Sequence, residues 1–472
     1  MRTIASPFDA ISRLDFPQTI RDEEVMTRFR KVFICAATVA PLLIGYGAAE
    51  AAAASVYVAQ NTAGAADGTS CANARSVGWF NTSGNWGTGT TQIGPGSVIF
   101  LCGTVSSGLV LQGSGASGSY VTIDGSRGTL AANISTANKS WWKIQNATWV
   151  DGFSGTLLNV VGGNNGVFTG NKADNFAGPN AVFLMQYSGS VRPDRMLISN
   201  NFIRTTTSNL GNTQHDVIKT EGSTNVTLEG NYLEMRTDGA GAEAHNDLIQ
   251  SYEKGGTSAG PSQNWTLRFN RFVMNSNEAS DRSWTMLEGL SGTLNIYGNV
   301  FLGIKGAGGA NGINLHNNSS GLIVNIFNNT IVAKAGASNN IFNLSGGGTA
   351  YIRNNIVSTV DQTVFTGGMP VTRERNLWSG NRSPSCLSGE ICGQPPGFVN
   401  AAENNFELNS SSPAGTAGAN LGAAYNGYIV AGSVWPAPTI SQRLATGNWS
   451  IGAYESAANA MLVSPPTNLQ VK

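Results

Sequence analysis

One short phrase recurs along the chain and restricts its fold more than any other feature. It is an apolar residue, two variable positions, an asparagine, one position, and another apolar residue. It reads Ile198-Ser-Asn-Asn201-Phe-Ile203, Leu228-Glu-Gly-Asn231-Tyr-Leu233 and Leu267-Arg-Phe-Asn270-Arg-Phe272. It continues as Ile296-Tyr-Gly-Asn299-Val-Phe301, Ile326-Phe-Asn-Asn329-Thr-Ile331 and Ile352-Arg-Asn-Asn355-Ile-Val357, and a weaker copy, Phe168-Thr-Gly-Asn171-Lys-Ala173, precedes them. The asparagines are 30, 30, 39, 29, 30 and 26 residues apart. A period in this range means a solenoid, a propeller or an array.

Each copy is a short run rich in Val, Ile, Leu, Phe and Thr, broken by Gly and Asn, with no stretch at helical spacing. A propeller blade needs four strands and a longer repeat. In a parallel β-helix, equivalent residues of successive coils lie about 4.8 Å apart. An inward Asn at a sharp bend then bonds its copies above and below, and Asn tolerates the left-handed backbone of such a bend. The expected class is therefore all-β: a right-handed parallel β-helix solenoid with an N-terminal cap. Asn231, Asn270, Asn299 and Asn329 are expected to form one internal ladder.

Only 12% of the residues are charged, and the formal net charge is zero. That excludes a basic nucleic-acid footprint, and the apolar content excludes a disordered chain. Residues 1–54 read as a signal peptide: Arg28, Arg30 and Lys31 precede the apolar run Val32 to Tyr46, and Ala52-Ala-Ala54 offers a cleavage site. The basic cluster follows Met26, so residues 1–25 read as an over-called start. The apolar run is short for a membrane span, so the mature protein is expected to carry none and to be secreted, periplasmic or on a bacterial cell surface. Cys35 falls in this segment, leaving Cys71, Cys102, Cys386 and Cys392, an even set for an exported protein. Of the three pairings, Cys71–Cys102 with Cys386–Cys392 closes local loops and is expected.

Residues 55–125 read as the cap and first coils, with a short helix near Cys71 to Phe80. Residues 126–455 read as the β-helix, with clear coils from about Tyr120 to Phe365, and 456–472 as a tail. A solenoid needs such a cap, because an open terminal rung presents unpaired backbone. Ser70-Cys-Ala-Asn73, Ile93-Gly-Pro-Gly96 and Leu101-Cys-Gly-Thr104 resemble the opening of exported bacterial right-handed β-helix proteins. Asn405-Phe-Glu-Leu-Asn-Ser-Ser-Ser-Pro413 and Ile451-Gly-Ala-Tyr-Glu455 resemble the terminal coil of the same group. That group includes lyases of pectate and alginate-like uronates, and epimerases. The resemblance implies the fold and a groove on the strand that opens each coil, but it does not choose the reaction.

Aligning these opening strands on their apolar pairs gives Leu184-Met-Gln186, Val217-Ile-Lys219, Leu248-Ile-Gln250, Met286-Leu-Glu288 and Asn314-Leu-His316. The expected outward column is then Gln186, Lys219, Gln250, Glu288 and His316. Ser188, Glu221, Tyr252, Leu290 and Asn318 follow two residues on, along the same face. His215-Asp216-Val-Ile-Lys219 and His245-Asn-Asp247-Leu-Ile-Gln250 share an Asp-x-Ile-polar core. Stacked, Asp216 and Asp247 lie close enough to perturb one another unless Lys219, a histidine or a calcium ion intervenes. An Asp at a strand start also caps loops by accepting backbone N–H bonds, which is the bland alternative.

Three functions fit this set. A polysaccharide lyase needs a uronate carboxylate neutralised and a proton removed. Calcium on Asp216 and Asp247 would neutralise, with Lys219, His316, Tyr252 and Glu288 as catalytic candidates. Gln186, His215, Glu221, His245 and Gln250 would then bind the polysaccharide. Arg236 and Arg282 are loop candidates for a further cation. A glycoside hydrolase would use Asp216 with Asp247 as a retaining pair, or Glu221 with Glu288 as an inverting one. A non-catalytic surface protein would only hold the glycan.

Overall fold

The computed structural model describes residues 55–178, 180–207, 215–236, 246–252, 260–275, 283–303, 311–333, 340–358 and 363–460. The expected signal segment, His245, Arg282 and residues 461–472 of the tail lie outside them. Strands of alternating apolar residues pair in parallel, each with its copy one coil away, and wind into a right-handed β-helix. Each coil supplies a strand before the ladder asparagine, a strand after it, and a strand that opens the next coil; these stack as a first, second and third sheet. The expected register holds in the first sheet, where Ile198, Leu228, Leu267, Ile296, Ile326 and Ile352 stack as successive partners in the core.

The ladder is longer than the four asparagines expected. Asn171, Asn201, Asn231, Asn270, Asn299, Asn329 and Asn355 each donate backbone N–H and side-chain Nδ2 to Oδ1 of the next, ending on Asn376. Each Nδ2 also donates to a carbonyl of the preceding coil, as Asn270 does to Leu228 O at 2.9 Å. The left-handed turn falls one residue earlier than the Asn: Gly170, Asn200, Gly230, Phe269, Gly298, Asn328, Asn354 and Arg375 have φ between 53° and 66°. The ladder residue is thus chosen for its amide, and its predecessor carries the backbone cost.

The N-terminal end is closed by the short helix Val77–Phe80, which buries Val77 and Phe80 against the first coil; Ser76 Oγ accepts from Trp79 N. Both expected disulfides are present, Cys71–Cys102 and Cys386–Cys392. Parallel pairing reaches Ile391–Cys392. Beyond it the chain forms antiparallel pairs, Phe398–Asn400 with Asn405–Leu408 and Gly427–Ile429 with Ile440–Gln442, so the coils stop well before residue 455. This segment runs back along the bend. Ala419 O accepts from Asn354 Nδ2 at 2.7 Å, Tyr425 O from Asn328 Nδ2 at 3.2 Å, and Phe269 O from Trp435 Nε1 at 3.2 Å. Neither stretch that resembles a terminal coil is a rung: Glu455 belongs to a buried network in which it takes a bond from Ser450 Oγ and pairs with Arg443. Among the described residues no helix is long and apolar enough to cross a membrane.

Candidate functional site

The third sheet carries the site. Its inward positions, such as Phe183, Ile218, Ile249, Ile313 and Phe342, form the core, and the alternate positions face outward. The pairing corrects the sequence alignment. Leu184, Lys219, Gln250, Met286, Asn314 and Asn343 stack as one column. Glu221 pairs with Tyr252 and Glu288 with His316 in a second column, two residues further on, and Gln186 belongs to it too. Gln186, Glu288 and His316 therefore do not share a column with Lys219 and Gln250. Leu290 is in the core and Asn318 is buried, accepting from Leu290 N at 2.8 Å, so neither lines a groove.

Around Lys219 the polar residues converge. Lys219 Nζ lies 3.1 Å from Asp216 Oδ2 and 5.2 Å from the centroid of the Tyr252 ring, and 16% of its side chain is exposed. Tyr252 donates its hydroxyl to Glu221 Oε1 on the neighbouring strand. Burial, then this bond to Glu221 and its charge, push the Tyr252 phenol well above its usual range, so it stays protonated. Gln250 is the direct neighbour of Lys219, with Oε1 buried. Further along, Glu288 accepts from Asn317 Nδ2 at 2.7 Å, and His316 Nε2 is 3.4 Å from Asn343 Nδ2.

Asp216 and Asp247 behave as strand-start caps. Asp216 Oδ1 accepts from Asp247 N at 3.2 Å, and Asp247 Oδ1 accepts from Ser283 N at 2.8 Å, each reaching to the next rung. Both are about 1% exposed. Burial and then the Asp216 charge hold the Asp247 carboxyl well above the usual carboxylate range. Asn246 Oδ1 accepts from His215 N at 3.2 Å in the same manner. His215 is buried rather than on the groove edge, and its burial lowers its imidazole pKa.

The described residues do not by themselves assemble a calcium site, although Asp247 Oδ2 is buried without a partner among them. Each Asp gives one oxygen to a backbone N–H, the other Asp216 oxygen faces an ammonium, and among the described residues no third acidic or imidazole ligand converges on them. One group of three possible ligands does appear among the described residues, Cys386, Glu390 and Cys392, but its cysteines are disulfide-bonded and its carboxylate lies 3.5 Å from Arg373. A retaining-hydrolase role for Asp216 and Asp247 fails on the same burial, since neither carboxylate can reach a glycosidic bond. Arg236 is taken up by Thr205 O at 2.8 Å. Of the candidate counter-charges for Asp216, Lys219 is the one that meets it, within one strand, whereas the bond of Tyr252 to Glu221 across two strands is a contact the sequence does not reveal.

No protein-family model matches the chain, and no curated protein matches its sequence. Among solved structures it is similar to pectate lyase Pel9A, at 13% identity and TM-score 0.44, over 85% of this chain and 96% of that one. It is also similar to pectate lyase Bsp165PelA from Bacillus sp. N165 in complex with trigalacturonate, at 12% identity and TM-score 0.25, over 76% and 87% of the two chains. A third is a mannuronic acid specific family 6 polysaccharide lyase from human gut microbiota, at 10% identity and TM-score 0.26, over 67% and 80%. At such identities and scores no substrate or residue role carries across.

Proposed function

We propose that the protein is a polysaccharide lyase acting on a uronate-containing glycan laid along the outward face of the third sheet. The observation that supports this most is a charged Lys219 held by Asp216 over a Tyr252 phenol that is itself bonded to Glu221. In this reading Lys219 grips the uronate carboxylate and stabilises the charge that builds on it. Tyr252 takes the C5 proton as its own proton passes to Glu221. The C5–H electron pair becomes the C4–C5 double bond, the C4–O bond breaks, and the leaving oxygen is reprotonated from solvent. Gln250 and Gln186 orient the chain nearby. His316 is three rungs from Lys219, about 14 Å by strand spacing, so it and Glu288 bind more distant sugars.

Purified protein incubated with polygalacturonate, alginate and dextran tests this. Ultraviolet absorbance of an unsaturated uronate product is expected from an acidic polymer and not from dextran. New reducing ends without unsaturation would replace the reading with a hydrolase. Glycan retention with neither signal would replace it with a binding protein.

A further inference from the structure

The second sheet has an outward column that the groove does not use. Lys172, Phe202, Tyr232 and Arg271 are successive partners on four adjacent rungs. Phe202 and Tyr232 stack with ring centroids 5.0 Å apart and planes 7° from parallel, and Lys172 Nζ lies 5.9 Å from the Phe202 centroid. A cavity of about 290 Å³ opens beside Lys172, Phe202 and Pro436. A second, of about 330 Å³, opens beside Tyr232, Arg271, Asn275 and Asn404. The stacked pair has one ring in each, so the two hollows adjoin along one strip.

The strip is left with positive charge. Glu234, which lines the second hollow and accepts from Tyr232 Oη at 2.8 Å and Asn275 Nδ2 at 3.2 Å, keeps its charge and offsets one of the two cations, Lys172 and Arg271. Arg204 is matched by Asp174 at 2.7 Å. Among the described residues Arg271 has a 3.4 Å bond from Nη2 to Asn404 O and the Trp435 ring at 5.4 Å, and its Nε is buried without a partner. That Nε is out of a ligand's reach, but Arg271 lines the second hollow and its Nη end, bonded weakly to Asn404 O, is free to take an anionic oxygen there. The remaining lining, aromatic rings and amides around a few apolar side chains, suits hydroxylated rings.

We propose that this strip is a second binding site for an anionic oligosaccharide, with carboxylates held by Arg271 and Lys172 and sugar rings lying across Phe202 and Tyr232. Its uronate identity rests on the lyase reading, whereas its preference for anions rests on Arg271 and Lys172 alone. The two cations are three rungs apart, about 14 Å, a span of several sugar residues. A polymer could then be held on the second sheet while another stretch is cut on the third.

Gel electrophoresis of the full chain through polygalacturonate, with dextran as the neutral control, tests the proposal. Lys172→Gln with Arg271→Gln should weaken polygalacturonate affinity about tenfold at low salt, and the wild-type affinity should fall as salt rises. Arg271→Lys should retain more affinity than Arg271→Gln. Cleavage of short oligouronates should be unchanged in the double variant. If that variant fails to fold, Lys172→Gln alone, at an exposed position, should still weaken binding. Unchanged affinity in the variants, or equal retardation in dextran, overturns the site. A chain that cuts no glycan yet loses polygalacturonate affinity in these variants would sink the lyase reading and support this one.

Discussion

Lys219 Nζ sits 3.1 Å from Asp216 Oδ2, and the Asp216 side chain is fully buried. The lysine is therefore both a groove residue and the counter-charge of a buried carboxylate. An outward position on a polar strand suggests a residue whose loss leaves stability untouched; the ion pair changes that expectation. Lys219→Ala should remove activity and also destabilise the fold, by on the order of 3 kcal/mol, because it strands a buried charge. Adding Asp216→Asn should recover much of the stability without the activity. Urea titrations of the three variants, beside a lyase assay, check this. Equal stability of Lys219→Ala and wild type would show that the pair is not closed in solution.

Asp247 predicts a pH dependence of the opposite sign to that of an ordinary salt-bridged acid. Its folded pKa is raised, by burial first and by Asp216 second. The folded protein thus binds a proton that the unfolded chain releases near the usual Asp pKa of about 3.9. Stability from this group is fully present below that value and is lost as pH rises toward the folded pKa. Asp247→Asn should flatten this slope and raise the thermal midpoint at neutral pH. His215, whose folded pKa is lowered by burial, works against it by favouring the folded state above about pH 6.5, so the comparison belongs between variants at each pH. A steeper slope in Asp247→Asn would mean that the carboxyl is ionised in the fold.

The fold was legible because a β-helix writes its period into the chain: one amide per coil, in one place, from Asn171 to Asn376. The same periodicity hid part of the site. Strand faces repeat every two residues, so sliding Met286-Leu-Glu288 by two positions keeps every residue on its own face, with Leu287 still in the core, and leaves no signal of the error. Gln186, Glu288 and His316 were displaced in this way, whereas Lys219 and Gln250 aligned correctly because their rungs share the Asp-x-Ile core. The antiparallel return after Cys392 was illegible for another reason. Its partners, Gly230, Phe269 and Asn328, are about 100 to 200 residues away and bond through the backbone carbonyls of Gly230 and Phe269 and the side-chain amide of Asn328.

Asn270 measures the value of the ladder. It donates N–H and Nδ2 to Asn299 Oδ1 at 2.9 and 3.0 Å, donates to Leu228 O at 2.9 Å, and accepts two bonds from Asn231. Asn270→Ala leaves both Asn231 donors, N–H and Nδ2, buried without an acceptor and Leu228 O without that donor, and should cost about 1–3 kcal/mol. Asn270→Asp should also destabilise, since a carboxylate cannot donate to Leu228 O. Chemical denaturation checks both. A neutral Asn270→Ala would mean that water replaces the amide.

Tyr252→Phe separates the proposed chemistry from binding. Phe keeps the ring beneath Lys219 Nζ, so the grip on a uronate carboxylate should persist and KM should change little. The lost hydroxyl is the atom through which Glu221 is proposed to act, so kcat should fall by about 10²- to 10⁴-fold. Glu221, about 6% exposed, then loses its phenolic donor, and a modest loss of stability should accompany the change. Glu221→Gln should lower kcat similarly while leaving Tyr252 a partner. If Tyr252→Phe keeps its kcat while Glu221→Gln does not, the base is Glu221 acting directly. If both keep it, the proton leaves through another group, and His316, three rungs along, is the next residue to change.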